Sequence, residues 1–69
     1  MSEVAKVTEI IASSERGFED AVRVGIGRAN KTLSNVREAW VASQKVVCDA
    51  SGAISEYRVI LKVTFVLKD

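Results

Sequence analysis

Sixty-nine residues with ten Lys and Arg against nine Asp and Glu carry a net charge of +1, which excludes the strongly basic footprint of a nucleic-acid-binding domain. One cysteine and no histidine exclude an internal disulfide and a Cys/His zinc cluster. A single small domain, residues 1–69, is therefore expected, and a chain this short needs an added source of stability that only self-association can supply. Hydrophobic residues make up 48%, too many for a disordered chain, yet no apolar run reaches membrane-spanning length. Met1-Ser2-Glu3 lacks the basic start and apolar core of a signal peptide, so a soluble cytoplasmic protein is expected.

Residues 4–12 read as a first strand with apolar side chains on both faces. Ala5, Val7 and Ile11 lie on one side, Val4 and Ile10 on the other, which suits a strand covered by its own helix and by a neighbouring subunit. Ser14 is the expected N-cap of a helix running from Glu15 to about Leu33, since its hydroxyl can accept from an unpaired backbone N–H of the first turn. Phe18, Ala21, Val22, Gly25, Ile26, Ala29 and Leu33 recur at helical spacing and define the buried face. Acidic residues near the start and Arg28 and Lys31 near the end complement the helix dipole. Glu19 and Arg23 stand one turn apart and can pair. Gly25 on the apolar face would allow close approach of a sheet. The string Gly25-Ile26-Gly27 sits inside this helix rather than between a strand and a helix, so it is not read as a nucleotide-binding loop.

After Ser34-Asn35 the period becomes 2. Over residues 36–48, Ala39, Val41 and Val47 are expected on one face, and Val36, Glu38, Trp40, Ala42, Gln44, Val46 and Cys48 on the other. Asp49-Ala50-Ser51-Gly52 has Asp first and Gly last, the chemistry of a turn closing a hairpin. The third strand, Ile54 to Lys68, has the most regular alternation in the chain: Tyr57, Val59, Leu61, Val63, Phe65 and Leu67 against Arg58, Lys62, Thr64 and Lys68. Such regularity belongs where both edges are paired. The expected architecture is α+β, in the order β-α-β-β. Its three-stranded antiparallel sheet has strand order 1-3-2. The face away from the helix would carry Trp40, Ala42, Val46, Ile60 and Val66 among Glu38, Gln44, Arg58, Lys62 and Thr64. It is too apolar to stay wet, and it is expected to be a subunit interface or a ligand platform. The candidate ligand-binding residues are Trp40, Arg58, Glu38 and Gln44.

Three segments then carry a resemblance. KVTEIIASSERGFEDAV is similar to the first strand, Ser cap and helix start of the dodecins. IGRANKTLSNV resembles that family's I-x-R-A-x-x-T-L-x-x-[LV], and YRVILKVTFVL its last strand, Y-[QR]-x-x-L-x-V-x-F-x-L. The resemblance covers nearly the whole chain. It implies a sheet partly wrapped around one helix, a hollow homododecamer, and binding without catalysis. Many dodecins stack flavins (riboflavin, FMN, FAD) between symmetry-related Trp side chains, with a Gln of the last strand on the ring edge. The chain departs from this pattern at two positions. Glu38 stands at the stacking position, with Trp40 two residues on, and Arg58 stands at the Gln position. A second branch with Arg there is associated with calcium, and the segment Val36–Phe65 looks closer to it. Flavin storage or sequestration is the function the resemblance implies first. A scaffold holding calcium or another ligand is the alternative.

The residues themselves allow plainer readings. Trp40 suits an interface anchor as well as a stacking surface, and Arg58 could pair with Glu38 across the sheet. Glu38 alone is a poor calcium ligand, because the ion takes six to eight oxygens, and no metal site is assigned within one chain. Cys48 is expected to be a half-buried small residue. The residues offer no His base and no activated nucleophile, so an enzyme is not expected. Gln44–Cys48 is similar to the Q-x-V-x-G loop of cystatins but lacks its closing Gly.

Overall fold

A computed structural model describes residues 3–68. Strand β1 (Ala5–Ser14) leads to helix α1 (Phe18–Thr32), then to β2 (Val36–Cys48) and β3 (Ile54–Val66). The sheet order is β1-β3-β2, with both outer strands antiparallel to β3. The strand with the cleanest alternation does occupy the centre. Val59, Leu61 and Val63 of β3 are fully buried and form the core with Ala12, Ala21 and Ala29. The helix lies over β1 and β3 and barely touches β2. Its closest approach is at Gly25, where an added Cβ would stand 2.8 Å from Leu61 Cδ1 and 3.0 Å from Ala12 Cβ. Phe18 meets Tyr57 edge to face, ring centroids 5.2 Å apart, and closes the N-terminal end of this layer.

The helix starts one turn later than the sequence suggests, and Ser14 is not its N-cap. Gly17 holds that position without any side-chain cap. Ser14 ends β1, where its hydroxyl accepts from the Arg16 backbone N–H at 2.9 Å and donates to Asp20 Oδ2 at 2.6 Å. The serine therefore bends the connection and ties it to the first helical turn, instead of satisfying a helix N–H. Glu19 and Arg23 do pair, at 2.8 Å on an exposed face. Beyond the helix, Asn35 takes a left-handed conformation, φ 59°, which its short polar side chain tolerates.

The hairpin turn is built on Asp49. Its carboxylate accepts from the Ser51 N–H and hydroxyl and from the Ala53 N–H. These bonds favour the charged form and lower its pKa from 3.8. Gly52 supplies the positive φ of 87° that closes the turn.

Strand β2 departs from simple alternation. Its register against β3 shifts between Val36 and Glu38, between Val41 and Ser43, and between Val47 and Cys48. Each irregularity changes which residues face which side. Val36 pairs with Phe65, Gln44 with Val59 and Val46 with Tyr57, so all three share the helix side of the sheet. Val47 pairs with Glu56 and lies on the other side. Alternation alone places these four residues on the wrong faces.

Candidate functional site

The sheet face away from the helix is set out in rows by the pairing. Glu9, Lys62 and Trp40 form one row across the three strands, and Val7, Thr64 and Glu38 form the next. Towards the hairpin come Ile11, Ile60 and Ser43, then Ser13, Arg58 and Lys45. Neighbours within a row have Cβ atoms about 5 Å apart. Trp40 is 58% exposed, high for the largest apolar side chain on an open sheet. Beside it lies a shallow hollow of about 450 Å³ lined by Trp40, Val41, Ala42 and Lys62. That volume is within the usual range for a small-molecule site. The irregularity between Val41 and Ser43 borders the hollow.

The four candidate residues are not brought together. Glu38 and Trp40 are neighbours on one face. Arg58 lies in the row of Lys45, six residues along β3 from the Thr64 that faces Glu38. At about 3.3 Å per residue this is roughly 20 Å, so the Arg58–Glu38 pair does not form. Arg58 Nη2 instead donates to Glu56 Oε1, two residues back on its own strand, at 2.6 Å. Both residues of an i, i+2 pair stand on the same face, so the ion pair forms within the strand. Gln44 is on the helix side, opposite Val59, and does not join Trp40. Lys62, which lines the hollow and has no ion-pair partner among the described residues, is a site residue that pattern reading overlooked. A lysine on an alternate position reads as a solvated charge until the register puts it across from Trp40.

One polar atom on this face lacks a partner. Thr64 Oγ1 is buried and makes no hydrogen bond, although Glu38 is its neighbour in the row. Cys48 is exposed rather than half-buried. Among the described residues, no three His, Cys, Asp or Glu side chains gather to hold a metal ion. No helix of the described residues is long and apolar enough to cross a membrane.

The chain is also larger in outline than a self-sufficient domain. Its radius of gyration is 14.3 Å and it measures 54 × 19 × 15 Å, against about 11 Å for the radius of a compact chain of this length. It exposes 5118 Å², where its 7.5 kDa implies about 4,200 Å² for a compact monomer.

Known proteins share this arrangement. A sequence model of the dodecin family matches residues 4–68. The dodecin of Thermus thermophilus is 33% identical over 69 residues, covering 100% of this chain and 99% of that one. The calcium dodecin of Mycobacterium tuberculosis is 34% identical over 65 residues, covering 94% of this chain and 90% of that one, and its crystal structure gives a TM-score of 0.84. The dodecin structure from Streptomyces davaonensis matches with a TM-score of 0.94 at 32% identity, each chain covered in full. The match runs through all three strands and the helix, and on it the chain belongs to the dodecin family of non-catalytic, small-ligand-binding proteins.

Proposed function

We propose that this chain is a cytoplasmic homododecamer that stores or sequesters a flavin, with Trp40 as the stacking surface. The observation that carries the reading is the exposed indole over its hollow, walled by Val41, Ala42 and Lys62. An indole offers a large flat π-face, and a flavin ring has the matching one. One chain supplies one wall of such a site, so a second copy must supply the other. Glu38 stands next to Trp40, and Lys62 takes the polar role that the family gives to Gln. Arg58 is tied to Glu56 and would contact the ligand only from a neighbouring copy. Gln44, on the helix side, is left out of the stack. The exposed free thiol of Cys48 suits a reducing compartment.

Titrating purified protein into riboflavin tests this. Emission should fall, and Trp40→Ala should abolish the fall while light scattering reports an unchanged particle. Riboflavin emission that stays constant at micromolar protein removes the flavin reading. Disassembly of Trp40→Ala would instead make Trp40 an interface anchor.

Calcium binding is favoured by a different observation: Glu38 occupies the position next to Trp40, and a relative at 34% identity is a calcium dodecin. A single chain does not fit the ion, since no cluster of acidic side chains is present among the described residues. Carboxylates such as Glu38 would have to converge from several copies to reach six to eight oxygens. Calorimetric titration with calcium separates the two readings: heat that Glu38→Gln removes, with no riboflavin response, supports the ion.

A further inference from the structure

The two rows around the exposed indole form a square. Trp40 pairs with Lys62, and Glu38 with Thr64. Strand β2 thus supplies an indole and a carboxylate, and β3 an ammonium and a hydroxyl. Neighbouring corners are about 7 Å apart along a strand and about 5 Å across it. Glu38 and Lys62 stand on the diagonal, about 7–8 Å apart at Cβ, and they form no ion pair. Lys62 also faces Glu9 across β1 and does not pair with it either. Thr64 Oγ1 is buried and has no hydrogen-bond partner.

The two ions differ in what they can bond. An ionised carboxylate only accepts, and an ammonium only donates. A ring resting on the Trp40 indole therefore has an acceptor beside it along β2 and a donor beside it across on β3. To satisfy both, its edge must carry an N–H and an acceptor oxygen next to each other. A cyclic amide has that pattern. A plain aromatic hydrocarbon would strip water from both ions and return no hydrogen bond, so the same two residues exclude it.

We propose that Glu38 and Lys62 read a cyclic amide or imide edge on the ring stacked against Trp40, with Glu38 accepting its N–H and Lys62 donating to its carbonyl oxygen. The inference rests on the flavin reading above and names what selects the ring, since a flavin carries an imide, an N–H between two carbonyls. Thr64 is a positioning residue. It faces Glu38 from the paired strand, and its hydroxyl is the donor that holds the carboxylate once the ring has displaced water.

Two probes test this: riboflavin, and riboflavin methylated at the imide nitrogen. Each is followed by its own fluorescence on titration with purified protein. Methylation removes the N–H and keeps the stacking face. The wild type should bind the methylated probe about tenfold or more weaker, the worth of a hydrogen bond to a charged group. Glu38→Ala, with particle size checked by light scattering, should bind both probes alike. Lys62→Met should weaken both by a similar factor and keep the preference. A wild type that binds the probes equally overturns the proposal and leaves the flavin reading standing. A preference that survives in full in Glu38→Ala does the same, and unchanged affinities in Lys62→Met overturn the part given to Lys62. No response to either probe removes the flavin reading and this inference with it. A measurement on the wild type alone decides the matter where Glu38→Ala does not assemble. In riboflavin isotope-labelled at the imide nitrogen, the bound N–H proton should lie downfield of its free position by nuclear magnetic resonance. A proton at its free position overturns the assignment.

Discussion

The contact at Gly25 gives the sharpest test of how helix and sheet are fitted together. In Gly25→Ala the new methyl stands 2.8 Å from Leu61 Cδ1 and 3.0 Å from Ala12 Cβ. Leu61 is fully buried, so its end has little room to turn. Ala12 Cβ is fixed to the backbone of β1 and moves only if the strand moves. Overpacking of this kind costs about 1–3 kcal/mol. Alanine recovers about 1 kcal/mol of helix propensity, which leaves a net destabilisation on the order of 1 kcal/mol. Gly27 is the internal control. It lies in the same helix, and an added Cβ there meets nothing within 4 Å, so Gly27→Ala should stabilise by up to about 1 kcal/mol. Denaturant melts followed by far-ultraviolet circular dichroism, at one fixed protein concentration because assembly adds to stability, should place the midpoints in the order Gly27→Ala, wild type, Gly25→Ala. If Gly25→Ala melts with or above Gly27→Ala, the close approach at Gly25 is not what holds the helix at its distance.

Two further outcomes follow from the polar groups. Thr64→Val keeps the shape of the side chain and removes a buried hydroxyl without a partner, so it should raise stability by about 1 kcal/mol in the same melts. A lowered midpoint would mean that another copy hydrogen-bonds Thr64 Oγ1. Asp49 has a folded pKa below its ordinary 3.8. Its turn bonds therefore contribute fully above that value and are lost as pH falls through the lowered one. The stability difference between wild type and Asp49→Ala should be constant near neutral pH and shrink below about pH 4. A gap that is unchanged down to pH 2 would show that the carboxylate does not hold the turn.

How much of this was legible in the residues varies with the element. The alternation of Tyr57 to Leu67 identified the central strand, because a strand paired on both edges has little freedom to break its period. The turn at Asp49–Gly52 was readable for a similar reason, since its side chain and its glycine act locally. The β2 faces were not readable. Three irregularities shift the register, and nothing in VREAWVASQKVVC marks them: an edge strand can gain a residue without Gly or Pro. That single uncertainty displaced Val36, Gln44, Val46 and Val47. The helix start was misplaced because a serine hydroxyl that bonds a turn and one that caps a helix look the same in sequence. Periodicity and turn chemistry carried the fold, and the resemblance to the dodecins carried the family. It could not carry the site, since the chain differs from the family at the two positions that matter.

The spacing of the site residues bears on what any ligand must meet. Trp40, Glu38 and Arg58 stand on one face but are strung along β2 and β3, with roughly 20 Å between the outer two. From Trp40 itself the distance is shorter, four residues along β3 from Lys62 to Arg58 or about 13 Å, and a ring lying flat on one indole still stops short of it. Nor can side chains close the gap, since Arg58 is held by Glu56 and the sheet backbone fixes the rest. A site using both ends of this face must therefore fold one chain's Arg58 end over another chain's Trp40 end. The same operation would cover the exposed indole. It would also give Lys62 and Thr64 Oγ1 neighbours that one chain does not provide. On this geometry ligand binding and assembly are one event viewed from two sides, and a variant that separates the copies should lose the ligand even with Trp40 in place.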